Sequence, residues 1–198
     1  FADRPLHIVG LEQNPSMQKD AAGLWKKVAQ PNHRFEARTA SLYSGNIEKE
    51  LKREKYDLIF VANFLNELPE EERFKLCENL LKQTSLLVLI EPALQKTTRD
   101  LMRLRDAILN KKLAAVLAPC LHQQVCPMLA NNYRDWCHFY LSWKLPRFVD
   151  KVGQLIGTNK EWLAMSYLVF SKSEGSLKGR YAQPDATWRV ISNLMPTN

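Results

Sequence analysis

Short uninterrupted apolar runs alternate, along the first half of the chain, with stretches whose apolar residues recur every three or four positions. LHIVGLE (Leu6–Glu12), YDLIFVAN (Tyr56–Asn63) and SLLVLIE (Ser85–Glu91) are runs of the first kind and predict buried strands. RFEARTASL alternates apolar and polar residues and predicts a strand nearer an edge. MQKDAAGLWKKVAQ predicts a helix ending before Pro31, and NIEKELKREK a short charged one. PEEERFKLCENLLKQT opens with Pro69 and three glutamates, which suit a helix N-terminus; Phe74, Cys77, Leu80 and Leu81 form its apolar stripe. TTRDLMRLRDAILNKK predicts a further helix, with Met102, Leu104 and Ile108 available for packing.

Buried strands alternating with amphipathic helices imply a parallel sheet covered on both faces, a doubly wound α/β fold. Ligands of such sheets lie beyond the carboxyl ends of the strands, so Glu12, Asn63 and Glu91 are the informative positions. The alternation breaks after Lys112, where a cysteine-rich stretch intervenes. It resumes with a helix from about Pro146 to Ile156, the strand MSYLVFSK, the loop-like SEGSLKGRYAQPDAT and a last strand in WRVISNL. The expected organisation is one domain over 1–198 carrying a Cys-rich insertion at 113–145.

Composition narrows the function classes. The 198 residues, 45% hydrophobic and 25% charged, suffice for a sizeable core. No apolar run approaches the ~20 residues of a membrane span; the longest, SLLVLIEPAL, is interrupted by Glu91. A net charge of +7 favours a polyanionic partner. Its densest part, Lys96–Lys112, has six basic and two acidic residues. In a helix, Arg99 and Arg103 share one face and Arg105 and Lys112 another, so Arg99, Arg103, Arg105, Lys111 and Lys112 are candidate RNA contacts. A solvated helix face is the plain alternative.

The strand tips carry the first candidate chemistry. A carboxylate at Glu12 could accept both hydroxyls of a ribose, or could simply cap a helix. YDLIFVANFLNELP sends Asn63 and Phe64 off a strand tip into a short apolar segment. It resembles the fourth-strand segment of class I S-adenosylmethionine (SAM) methyltransferases, as LLVLIEPA resembles the fifth strand and its exit loop. The glycine-rich turn that normally precedes the ribose-binding acid has no counterpart among the seven glycines. The expectation is that this chain begins inside the domain or has lost the turn. No residue is assigned a catalytic role.

The cysteines carry the second. Three of the four fall between Cys120 and Cys137, in APCLHQQVCPMLANNYRDWCHF. In a reducing compartment that crowding leans towards a metal site with Cys120, Cys126 and Cys137 as ligands, and His122 or His138 as possible fourths for zinc. Three unrelated core or loop thiols would also explain it. Cys77, on a helix stripe, reads as a buried small residue.

APCLHQQVCPM and DWCHF, with IEPALQKTTRDLMRLRDAIL upstream, SYLVF downstream, and NFLNELP and RVISNLM, resemble one family: the mitochondrial small-ribosomal-subunit methyltransferase-like proteins and their bacterial relatives. The resemblance runs from Ile8 to about Met195. It implies a class I methyltransferase-like fold and association with the small ribosomal subunit or its RNA. It also implies an iron–sulfur cluster on four cysteines in the mitochondrial members, three matched by Cys120, Cys126 and Cys137 and the fourth expected beyond this chain. By the same comparison the chain lacks the family's first strand and its last. Two roles follow: a SAM-dependent methyltransferase acting on ribosomal RNA, or a non-catalytic assembly factor using the fold as a scaffold. DNA is not expected as a partner, because neither helix-turn-helix nor zinc-finger spacing is present. The expected compartment is the bacterial cytoplasm, with the mitochondrial matrix as the alternative.

Overall fold

The computed structural model describes residues 4–29, 31–40, 46–51, 54–158 and 161–173. The expected strand in WRVISNL lies outside the described residues. The chain divides into two compact units, 1–55 and 56–198.

In the first unit, strands β1 (His7–Glu12) and β2 (Arg34–Thr39) pair in parallel through a crossover containing helix α1 (Pro15–Val28); helix α2 (Asn46–Leu51) follows. Asn14 caps α1 by accepting from Ser16 N at 2.9 Å, and Pro15 occupies the first turn, where a missing N–H costs nothing. Trp25 of α1 stacks on Phe35 of β2, centroids 5.6 Å apart. Gly10 is explained by the same ring: a Cβ there would meet Phe35 at 3.0 Å.

The second unit holds β3 (Tyr56–Ala62), α3 (Glu70–Gln83), β4 (Thr84–Pro92), α4 (Gln95–Asn110), β5 (Ala115–Ala118), α5 (Pro127–Asn131), β6 (Phe139–Ser142), α6 (Arg147–Leu155) and β7 (Trp162–Ser171). Its sheet runs β3-β4-β7-β5, with β6 paired to the start of β7. Strands β3 and β4 are parallel; β7 lies antiparallel between β4 and β5. The sheet is therefore mixed: the parallel pairing expected of the early strands holds for β3 and β4, whereas β7 runs the other way; an apolar run shows that a strand is buried but not which way it points. The core lies where β4 and β7 meet α3 and α4. Leu87, Leu89, Phe170, Cys77 and Ile108 are all fully buried.

Residues 113–145, read from sequence as an insertion, supply β5 and β6 to this sheet. Each is four residues long, too short for periodicity to reveal. Among the described residues, no helix is long and apolar enough to cross a membrane.

Candidate functional site

Two places in the second unit gather chemistry. The first is the carboxyl end of β3. Asn63 N donates to Ile90 O at 2.9 Å, and Asn63 itself adopts a left-handed conformation (φ 52°), which asparagine tolerates better than most residues. The chain then turns sharply into Phe64 and the single turn Leu65–Glu67. Glu91, 1% exposed at the end of β4, holds that turn. Its Oε1 accepts from Phe64 N (3.1 Å) and Leu65 N (2.8 Å), and its Oε2 from Asn66 Nδ2 (2.7 Å). Arg73 fastens the other side, donating through Nε to Leu65 O and Leu68 O and through Nη1 to Asp100. Of the expected cofactor-binding residues in this unit, Asn63 is exposed and Phe64 half-buried. Glu91 points inward and binds the chain itself. Glu12 ends β1 in the first unit, half-buried, and its Oε1 accepts from Asn14 N at 2.8 Å.

The second place is a cavity of about 550 Å³ under the cysteine segment. Cys120, Cys126 and Cys137 all line it, with Leu101, Met102 and Leu168 supplying apolar wall. Arg105 also lines it and is 1% exposed. Its Nη1 donates to Gln124 O (2.7 Å) and Nη2 to His122 O (2.9 Å). It pairs with Asp106, whose two oxygens accept from Cys126 N at 3.2 and 3.1 Å. Gln123 bonds both Val116 N and Val116 O at 2.7 Å, as a neighbouring strand would. The segment is thus held by α4 and β5 together. Burial by itself lowers the Arg105 pKa, but the charge of Cys120, and hydrogen bonds to Asp106 and Cys120, raise it overall. This cation lies beside the Cys120 sulfur on the same cavity.

By type these donors are ones a soft metal or cluster takes: three thiols on one cavity with an arginine beside them. The side chains do not converge on a point. Among the described residues, no three His, Cys, Asp or Glu side chains are grouped to hold a metal ion, and a four-ligand centre needs another donor.

The basic residues of α4 and of the chain just after it have different surroundings. Arg105 is withdrawn from any RNA-contacting surface, because its position falls on the buried stripe with Leu101, Leu104 and Ile108. Arg99 Nη1 is engaged by Asn132 O (2.8 Å) and Asp135 O (2.9 Å). Arg103 pairs with Asp100 but remains about half exposed. Lys111 lies over the Phe74 ring, 4.4 Å from its centroid, and Lys112 is exposed at the helix end. Sequence reasoning overlooked the Arg105–Asp106 clamp, Gln123 and Arg73. The available signal was an arginine on the apolar stripe of α4, which in a soluble helix means a buried partner.

A mixed sheet with its last strand reversed between two parallel ones, helices on its faces and candidate residues at its strand ends is class I methyltransferase-like. Residues 9–180 match the family Rsm22, described as mitochondrial small ribosomal subunit Rsm22, and the chain belongs to that family. No curated protein matches the sequence. Several solved structures are similar. Magnesium protoporphyrin IX methyltransferase (ChlM) from Synechocystis PCC 6803, with bound SAM, is 12% identical over 85% of this chain and 69% of its own, with a TM-score of 0.47. The YcgJ protein from Bacillus subtilis is 15% identical over 87% and 92%, TM-score 0.41. The small RNA methyltransferase HEN1 is 16% identical over 90% and 22%, TM-score 0.39.

Proposed function

We propose that this protein is a SAM-dependent methyltransferase that acts on ribosomal RNA of the small subunit, in the bacterial cytoplasm or the mitochondrial matrix. The observation that carries this is the built tip of β3. A buried carboxylate, Glu91, accepts three hydrogen bonds, from Phe64 N, Leu65 N and Asn66 Nδ2, and so fixes the turn that follows Asn63 at the carboxyl end of a parallel strand. That is where ligands of such sheets bind, and a turn held this firmly needs little ordering when a ligand arrives. SAM would supply an electrophilic methyl group. Asn63 and Phe64 would border it, and Glu91 would act by holding the turn. The family's ribosomal description and the net charge of +7 support an RNA substrate.

A second reading has its own observation. Three cysteines on one cavity, with a buried arginine beside them, support a structural iron–sulfur or zinc centre in an assembly factor that does not catalyse. Equilibrium binding of SAM to the full-length protein, followed by methyl transfer to small-subunit RNA, separates the two. SAM binding that Asn63→Ala weakens, together with methyl incorporation, is expected. A full-length protein that binds the subunit but no SAM overturns the enzymatic reading in favour of the assembly factor.

A further inference from the structure

Beyond the cysteine cavity lies an aromatic ladder that neither reading uses. Trp136 and His138 stack with centroids 5.3 Å apart and planes inclined by 28°. His138 then meets Tyr140 edge to face at 5.1 Å. Successive strand residues point to opposite faces, so His138 and Tyr140 share one side of β6 while Phe139 and Leu141 take the other. Paired residues of neighbouring strands share a face. Ser142 pairs with Trp162 and Tyr140 with Ala164, which places Trp162 on the ladder side with only small residues, Ser142 and Ala164, between the rings. Tyr140 is 62% exposed and Trp162 58%.

The ladder is fixed at its inner end. Trp136 Nε1 donates to Ala93 O at 2.7 Å. The turn before it is stapled to the start of α4 by Arg99, bonding Asn132 O and Asp135 O, and by Gln95, whose Nε2 donates to Arg134 O. His138 Nδ1 donates to Trp136 O at 2.9 Å, which sets the ring's orientation. A core cluster would bury its last ring; this one leads outward to open ring faces. The flanking stretch Tyr133–Arg147 carries three basic residues, Arg134, Lys144 and Arg147, against one acidic residue, Asp135. Asp135 is tied to Asn132.

We infer that this face of β6 and β7 is a stacking platform for unpaired bases of single-stranded RNA, with Tyr140 and Trp162 as the stacking rings. This rests on the RNA reading above and adds the strand state of the RNA and the residues that hold it. Sheet-borne aromatics stack bases without regard to sequence, and the basic flank complements the phosphates. A peptide-binding face would call for aliphatic contacts, but the exposed Leu141 and Leu163 lie on the opposite side.

The test uses the full-length protein and a labelled single-stranded oligoribonucleotide from a small-subunit RNA loop, against the same sequence in duplex form, across a salt series. Tyr140→Ala and Trp162→Ala are each expected to weaken single-strand binding by about 5- to 150-fold. The slope of affinity against salt should stay unchanged, since no phosphate contact is removed. Tyr140→Phe should retain binding, and unchanged melting of all three variants checks their folding. Undiminished binding in both alanine variants overturns the platform and leaves the RNA reading standing. Loss of binding to the assembled subunit with naked-RNA binding intact also overturns it, and marks the face as a protein contact. A native protein that binds no RNA at low salt overturns both.

Discussion

At the scale of single residues, burial decides which thiol can do chemistry. Cys77 is fully buried on α3, and desolvation, with a smaller contribution from the charge of Glu91, pushes its thiol up to about 12. The unfolded thiol titrates near 9. Between about pH 9 and 12 the unfolded chain has lost a proton that the folded chain keeps, so the stabilisation is complete below pH 9 and is lost as pH rises towards 12. The melting temperature is expected to fall across that window, and less steeply in Cys77→Ala. A native-state alkylation time course should leave Cys77 unlabelled while Cys120 and Cys137, both partly exposed, react. Equal labelling of Cys77 would contradict its burial. The position of Cys77 on the helix stripe was readable from spacing. That Glu91 would hold its neighbour turn, 25 to 27 residues back along the chain, was not.

At the scale of elements, α4 does two jobs that its sequence does not separate. Its apolar stripe packs on the sheet, and through Arg105 and Asp106 it holds the cysteine segment by two carbonyls and one amide. Arg105→Met should fill much the same volume but leaves those carbonyls and Asp106 without their cation. A loss of about 3 kcal/mol is expected in urea unfolding. Arg105→Lys should recover little, because a point charge cannot span both carbonyls. Alkylation of Cys126, buried in the native protein, should accelerate in Arg105→Met. An unchanged rate would show that the clamp does not order the segment. Five of the six basic residues between Lys96 and Lys112 were read as candidate RNA contacts, on two faces of the helix. Charge counting along a helix cannot distinguish a guanidinium facing solvent from one facing buried carbonyls.

At the scale of the whole molecule, a metal held by the proposed cysteine site would be coupled to folding. The full-length protein, purified without oxygen, is expected to contain iron with sulfide, or zinc. Cys126→Ser should lose that metal and melt several degrees lower than Cys77→Ser. Equal melting shifts would argue against a shared site, and metal analysis of both variants completes the check. By itself, the sequence determined that buried strands alternate with amphipathic helices, where those strands end, that the chain is basic, and that three thiols crowd one segment. All of these are local: burial period and composition are written in neighbouring residues. Only the tertiary structure decided that β7 runs antiparallel between β4 and β5, that Arg105 is buried, that the three cysteines share one cavity, and that Trp136, His138 and Tyr140 lead to an open face. Those facts depend on partners far along the chain, such as Trp136 and Ala93, 43 residues apart. Strand direction and the partner of a buried charge follow from which distant surfaces meet, and no local pattern records that.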